Sequence, residues 1–336
     1  MSGSTFGNKI KITTEGGSHD AIMSVTIEGL PGGFTINGKE LQNFINRRKP
    51  LDIYGGTSRH EEDSFNVISG LNGLTTIDNT PFTLIFENKN AHSFDYDSIK
   101  NLYRPGHADF TYDMKYGEIP IGGGRASGRE TLTRVAAGGV IAQYLKEKYG
   151  ITCESKIVSI GHLPTSNGKI TDEQIEYLKE LREEGNSTGG IIECGIKNVP
   201  SGLGEPVFNK LDAALSFAVM SIGAVKGISF GMGFDMAHST GTVTNDEFLG
   251  IKDRCLITKN NLSGGILGGI STGEDIVFTV AVKPTPSISI PQHTVDRDGN
   301  LKEITIKGRH DSCIATRIGV VIESMALLTI ADYIDI

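Results

Sequence analysis

Apolar residues recur along this chain at two spacings. Ile22–Glu28 alternates apolar and polar positions, as a half-buried strand does, and Pro31-Gly32-Gly33 closes it with a turn. Phe82–Glu87, Lys156–Ile160 and Ile276–Val282 also read as strands, and Thr294–Ile306 as a hairpin turning at Asp298-Gly299. Helical spacing takes over from Ser127. Leu132, Val135, Ala136, Val140, Ile141 and Leu145 share one face until Gly150 stops the helix. Ser127 and Glu130 have the Ser-x-x-Glu spacing of a capping box, which predicts a start at Arg129 or just before it. A second helix is predicted over Thr171–Glu184, capped by Thr171 with Gln174 and charged on most faces, hence on the surface. Asn209–Ile222 is a third, with Leu211, Leu215, Ala218, Val219 and Ile222 inward. Ile314–Tyr333 is apolar nearly all round and reads as a central buried helix.

Strands outnumber helices and do not alternate with them one for one, which favours α+β over a doubly wound sheet. No G-x-G-x-x-G follows a strand and no Gly-Lys-Ser/Thr occurs, so Rossmann-type dinucleotide binding and P-loop chemistry are disfavoured. Gly124-Arg125 leads into the first long helix and Gly308-Arg309 into the last. That echo hints at two fused, related halves with their helices packed together in the middle. A chain of 336 residues is long enough for one large domain or for such a pair.

Composition narrows the function. Net charge is −8, against non-specific nucleic-acid binding. The longest apolar run, Ile318–Ile330, is interrupted by Glu323 and too short to span a bilayer, and no signal peptide is visible. Four cysteines lie far apart with no C-x-x-C pair, which argues against a zinc site and fits free thiols in a reducing cytoplasm. The 43 glycines gather in GG and GGG clusters, where turns or a ligand bring backbone close. Nine of twelve arginines also cluster, and arginine is the preferred bidentate clamp for phosphate and carboxylate. A small polyanionic ligand is the expectation.

The densest chemistry lies in Arg104–Glu130, RPGHADFTYDMKYGEIPIGGGRASGRE. A Gly-Gly-Gly turn runs there into a helix start, where backbone N–H groups beside Arg125 and Arg129 make an anion site. His107 stands near to move a proton. An anion site with a proton donor outlines an enzyme for a phosphorylated or carboxylated substrate. Elsewhere His60, His92, His162, His238 and His293 join no charged constellation and read as surface or loop residues. Asp95-Tyr96 reads as a turn, and Glu173–Glu184 as a solvated face.

Seven segments in order carry a family resemblance. They are GGSHD (Gly16–Asp20), RPGHADFTYDMKYG (Arg104–Gly117), GGGRASGRETLTRVAAG (Gly122–Gly138), GLGEPVFNKLDAALSFAVMSI (Gly202–Ile222), GGILGGISTG (Gly264–Gly273), KPTPSI (Lys283–Ile288) and KGRHDSC (Lys307–Cys313). Together they resemble chorismate synthase over nearly the whole chain. The resemblance implies a single domain over 1–336, an α+β sandwich with long central helices between antiparallel sheets, and an internal pseudo-twofold repeat. It implies 1,4-anti elimination of phosphate and a C6 proton from 5-enolpyruvylshikimate 3-phosphate, giving chorismate, the last common step toward the aromatic amino acids. Reduced FMN is the implied cofactor, lending electron density as phosphate leaves and recovering it. NADPH as its reductant stays open. A cytoplasmic homotetramer, a dimer of dimers, is also implied, with no nucleic-acid or membrane partner and no metal.

By the same resemblance His19 donates a proton near the departing phosphate, His107 sets the protonation of the reduced flavin, and Asp311 helps remove the C6 proton. From the residues alone, His19 reads as a loop histidine satisfied by backbone and Asp311 as a cap for the following helix. A histidine's ordinary titration near neutral pH suits either role. Arg48, Arg59 and Arg129 are the implied substrate anchors. The implied FMN contacts are Arg125, Ala126 and Ser127, then Gly223 and Ala224, Gly268, the run Lys283, Pro284, Thr285, Pro286 and Ser287, and Arg309. Arg134 and Arg317, inside helices, stand to support the site from behind.

Departures fall on the substrate side. The family's Gly-Glu-Ser-His-Gly is Gly16-Gly17-Ser18-His19-Asp20 here, so an acid is lost at Gly17 and another gained at Asp20. An arginine tied to substrate or NADPH is Tyr54, a glycine is Ile77, and Ser-Ser-Ala is Ala126-Ser127-Gly128. Two alternatives therefore stand beside a working enzyme: a flavin-binding relative of weak or altered activity, and a non-catalytic polyanion-binding protein.

Overall fold

The computed structural model describes residues 2–51, 62–88, 101–306 and 310–335. Tyr54, Arg59, His60, His92, Asp95, Tyr96, Gly308 and Arg309 lie outside the described residues.

The main elements in chain order are β1 (Lys11–Glu15), β2 (Ile22–Glu28), α1 (Gly38–Asn46), β3 (Phe65–Ser69), β4 (Phe82–Glu87), α2 (Asp109–Tyr116) and α3 (Thr131–Tyr149). They continue with β5 (Thr152–Ile160), α4 (Asp172–Glu183), β6 (Gly190–Lys197), α5 (Leu211–Met220), β7 (Val225–Phe230), β8 (Ile276–Val282) and α6 (Ala315–Tyr333). One sheet runs β1-β2-β4-β3, with Thr5–Phe6 on its β1 edge; the other runs β7-β8-β6-β5, with Leu163–Pro164 on its β5 edge. Neighbouring strands are antiparallel throughout.

The two sheets repeat one topology. Numbering four strands from β1 and four from β5, each sheet has the order first-second-fourth-third, with a helix (α1 or α5) between second and third and a long helix (α3 or α6) after the fourth. α3 packs on β1 and β2, α6 on β5 and β6, and α3 and α6 pack on each other, giving a sandwich with a helical middle layer. The strand alternation becomes this layering. Met23, Val25 and Ile27 of β2 face the helices in register with Phe86, Leu84 and Phe82 of β4, and all six are fully buried. In the second sheet Ile192, Cys194 and Ile196 stand opposite Val280, Phe278 and Ile276 in the same way.

Gly138 lets the central helices approach. A Cβ there would lie 2.3 Å from Ser324 Cβ on α6. Glu323, in the middle of α6, is fully buried and clamped. Arg47, just past α1, donates to both its oxygens at 2.7 Å, and Ser155 of β5 donates through N–H (2.9 Å) and Oγ (2.6 Å). Glu323 thus ties both halves together. α3 is buried nearly all round rather than on one face. α4 carries the capping box formed in both directions, Thr171 with Gln174, and buries only Gln174, Leu178 and Leu181. Among the described residues no helix is long and apolar enough to cross a membrane.

The first long helix starts differently from its capping-box spacing. Ser127 Oγ accepts from Arg129 N–H at 3.3 Å, but Glu130 turns to Arg134 Nε (2.9 Å) instead of closing the box. A 3-10 turn over Gly128–Glu130 therefore precedes the α-helix. Two short helices, α1 and α2, carried no predicted element. In α1 Asn37 caps the N–H groups of Lys39 and Glu40.

Candidate functional site

An open cavity of about 1720 Å³ lies between the loops that precede α3 and α6. One ligand pocket is ordinarily about 300–1,000 Å³, so this one has room for two ligands side by side. The loop between β1 and β2, the segment 104–134, the turn after α5, and the segments 283–287 and 310–317 all reach it.

The glycine turn is stitched to the loop of His19. Ser18 N–H donates to Gly124 O (3.2 Å) and Ser18 Oγ to Gly122 O (3.2 Å). With its one hydrogen so placed, Ser18 Oγ accepts from His19 Nδ1–H at 2.9 Å. Gly122 has φ +59°, and a Cβ on it would sit 1.9 Å from His19 Cε1. Only glycine fits against that ring. Asp20, the acid beside His19, turns its carboxylate back to Gly17 N–H (2.7 Å). Arg125 donates to Gly16 O (3.2 Å) and Thr14 Oγ1 (2.7 Å), binding the turn to β1.

Arg48 and Arg129 are both more than nine-tenths buried and share the carboxylate of Asp63. Arg48 Nη2 donates to Oδ2 at 2.6 Å, and Arg129 Nη1 donates to Oδ1. Arg129 Nε also donates to Asn88 Oδ1 (3.2 Å), and Asn88 Nδ2 in turn holds Ser18 O (2.8 Å). Burial lowers the Arg48 guanidinium to about 10, with Asp63 opposing and Arg317 and Arg129 assisting; it stays charged at neutral pH. Burial works to raise Asp63, but the two guanidiniums outweigh it and hold the acid below its ordinary value.

His107 accepts at Nε2 from Ser287 Oγ (2.7 Å) while its Nδ1–H donates to Pro105 O (3.0 Å). Burial, then the charge of Arg104, pushes its pKa down to about 4. The ring is neutral at pH 7, and the near-neutral titration expected from its residue type is not met. Arg104, at the cavity wall, donates to both oxygens of Asp109 at 2.7 Å. Lys283 Nζ donates to Gly106 O (2.6 Å) and holds the second segment to the first.

Asp311 is buried and paired. Arg317 donates to Oδ2 (2.7 Å) and Oδ1 (3.3 Å) and reaches Arg48 O at 3.4 Å. α6 has no side-chain cap, so Asp311 meets the helix through Arg317 and not as its cap. Arg134 binds Glu130 and Ser221 Oγ (2.7 Å) at the rim.

The structure brings His19, Arg48, His107, Arg125–Ser127, Arg129, Gly223, Ala224, Lys283, Thr285–Ser287 and Asp311 to this one cavity. Gly268, exposed on a two-stranded turn, and Pro284 do not line it. His162, His238 and His293 are exposed. Asp63, Asn88 and Ser287's bond to His107 had no signal in residue type or spacing, because each depends on a contact across the fold.

Five buried side-chain polar atoms among the described residues have no hydrogen-bond partner, and four belong to residues lining this cavity: Arg48 Nε, Arg129 Nη2, Thr285 Oγ1 and His310 Nε2. Unmet buried donors are costly and rare. Their convergence fits a ligand rich in oxygen. Gly223 adds a ledge with no side chain, where a Cβ would meet only Ala126 O at 3.9 Å. A flat ring fits such a surface, and the glycine turn leaves backbone open to a phosphate.

Residues 10–334 match the family model for chorismate synthase. The chain is 46% identical over 351 residues to the chorismate synthase of Lachnoclostridium phytofermentans, covering 99% of this chain and 95% of that protein. It is 45% identical to the one from Maridesulfovibrio salexigens (99% and 98% covered) and 44% to the one from Methanosarcina barkeri (99% and 96%). A chorismate synthase crystal structure superposes with a TM-score of 0.76 at 26% identity, covering 98% of this chain and 92% of the other.

Proposed function

The chain belongs to the chorismate synthase family and carries out the family's lyase reaction, and within that reaction we propose how its own residues divide the work. The observation that carries the proposal is the pair of buried, unmet donors, Arg48 Nε and Arg129 Nη2, beside the glycine turn and His19. Those arginines anchor 5-enolpyruvylshikimate 3-phosphate through its anionic oxygens. His19, oriented by Ser18 and wedged against Gly122, faces the departing phosphate through Nε2 and, in its imidazolium form, donates the Nε2 proton there. Asp311, aimed by the two hydrogen bonds from Arg317, assists removal of the C6 proton.

The remaining space suits FMN. Gly122–Ser127, Gly223, Ala224, Lys283 and Thr285–Ser287 are the residues that would hold it. When bound in its reduced form it supplies electron density as phosphate leaves and recovers it afterwards, with no net redox change. His107 meets it as a neutral imidazole fixed by Ser287 and Pro105. Gly268 and Pro284 are not carried into this reading. NADPH as reductant, a cytoplasmic setting and a single domain over 1–336 belong to the same proposal. So does a homotetramer, favoured by exposed apolar side chains such as Phe248, Leu249 and Ile251 on one hairpin.

Anaerobic incubation with dithionite-reduced FMN and the phosphorylated substrate tests it, with chorismate followed by absorbance. Turnover dependent on reduced FMN is expected, together with loss of substrate affinity in Arg48→Gln and Arg129→Gln. Flavin binding without turnover would leave an altered relative in its place.

A further inference from the structure

Two buried guanidiniums repel each other and, left alone, splay apart. Between Arg48 and Arg129 stands Asp63, which is 4% exposed and gives one oxygen to each. Its backbone is pinned as well. φ is +52°, uncommon outside glycine, and Gln42 Nε2 donates to its carbonyl at 3.2 Å. Asp63 takes only one N–H from each arginine, at Arg48 Nη2 and Arg129 Nη1. The unmet donors, Arg48 Nε and Arg129 Nη2, are the ones it leaves. One carboxylate against two guanidiniums leaves a net charge of +1 within the triad, and Arg317 stands close enough to Arg48 to act on its charge.

We propose that Asp63 is a positioning residue for the substrate: by bridging Arg48 and Arg129 it fixes the separation and aim of the two donors that meet the substrate's anionic oxygens. This rests on the reading of Arg48 and Arg129 as the substrate's anchors. Asp63 itself takes no part in bond making. Its carboxylate orders two flexible, like-charged side chains before the ligand arrives, so that the ordering is not charged against binding.

Asp63→Asn keeps the shape, removes the charge and turns an N–H₂ toward one guanidinium. Equilibrium binding of 5-enolpyruvylshikimate 3-phosphate to the flavin-free protein is measured by calorimetry, FMN affinity by flavin fluorescence, and KM and kcat anaerobically. The substrate Kd and KM are expected to rise ~10- to 100-fold, the range seen when a group that orients a metal-ligating side chain is removed and carried over here to an arginine, while FMN affinity holds. Asp63→Glu keeps the charge but shifts the aim by one methylene, and its rise is smaller, roughly three- to tenfold on that same scale. An unchanged substrate Kd in Asp63→Asn overturns the proposal. So does a lower one, which would make Asp63 a competitor for the arginines. Should Asp63→Asn lose FMN binding too, Asp63→Glu decides alone: a raised substrate Kd with FMN retained upholds the proposal, and a wild-type Kd overturns it. Arg129→Gln separates the two levels. If it weakens substrate while Asp63→Asn does not, only this inference falls; if neither does, the anchoring reading falls with it.

Discussion

Gly122→Ala tests how closely the glycine turn and His19 depend on each other. The added Cβ would stand 1.9 Å from Cε1, 2.4 Å from Nδ1 and 3.0 Å from Nε2 of the ring. Ordinary contact begins at 3.4 Å, so ring and turn must separate by at least 1.5 Å. A misplacement of about 1 Å at a reacting group can cost ~10²-fold in rate, equivalent to about 2.7 kcal/mol of barrier. The backbone adds a second cost, since a left-handed conformation disfavours alanine by about 1–2 kcal/mol. Gly123→Ala separates the two. Gly123 has φ +84°, but its Cβ would meet only Ser127 Cβ at 3.7 Å. Both variants should lose stability in urea from the left-handed backbone, Gly122→Ala the more because of its clash with the ring. At saturating FMN and substrate, Gly122→Ala should turn over about 10²-fold more slowly than Gly123→Ala. Equal turnover in the two would refute the reasoning, since it would mean the His19 ring's position does not limit the reaction.

Other outcomes follow from buried charge. Arg47→Met strips Glu323 of its cationic partner and should destabilise the fold by about 3 kcal/mol in urea denaturation, the low end for an uncompensated buried acid because Arg47 is itself half-exposed. Arg47→Met with Glu323→Met should recover most of that loss, and a double variant no better than the single one would count against the clamp. His107 should titrate near 4 in isotope-edited NMR of the flavin-free protein, and a midpoint above 6 would contradict the burial argument. The stability linkage has a definite sign. Folded His107 lies below its ordinary 6.5, so the unfolded chain takes up the proton first as pH falls. Its contribution is complete above about pH 6.5 and is lost between there and about 4. His107→Asn should flatten that acid limb in urea titrations at stepped pH.

Periodicity reached the long elements because their burial is a local property. β2 and β8 alternate on one buried face, and α6 is apolar on all sides because it lies between two layers. α1 escaped because only Leu41 and Ile45 are buried, although Asn37 followed three residues later by Glu40 is a usable start signal. α2 buries two acids, Asp109 and Asp113, whose partners Arg104, Tyr103 and Arg297 come from elsewhere in the chain, so no apolar pattern marks it. The capping box at Ser127 had the right residues, yet Arg134 one turn on drew Glu130 away. In the site, the resemblance supplied residues that motif spacing can register, such as His19 and Arg129. It could not supply pairings. That Asp63 bridges two arginines, that Arg317 rather than a helix end holds Asp311, and that Ser287 fixes the His107 ring are all products of distant segments meeting.

The repeated strand order has a stereochemical consequence. In each repeat the connection from the fourth strand into the long helix reaches the cavity, through residues 104–130 in one and through 283–287 and 310–314 in the other. Two equivalent connections with the same residues would make a pocket with matching ends, unable to tell one end of a guest from the other. Here one connection carries the glycine turn and Arg129 while the other carries Lys283, Ser287 and Asp311. The pocket has a head and a tail. An anti elimination removes its two groups from opposite faces of a ring, and in this chain the acid proposed for the phosphate, His19, comes from one repeat and the base proposed for the proton, Asp311, from the other.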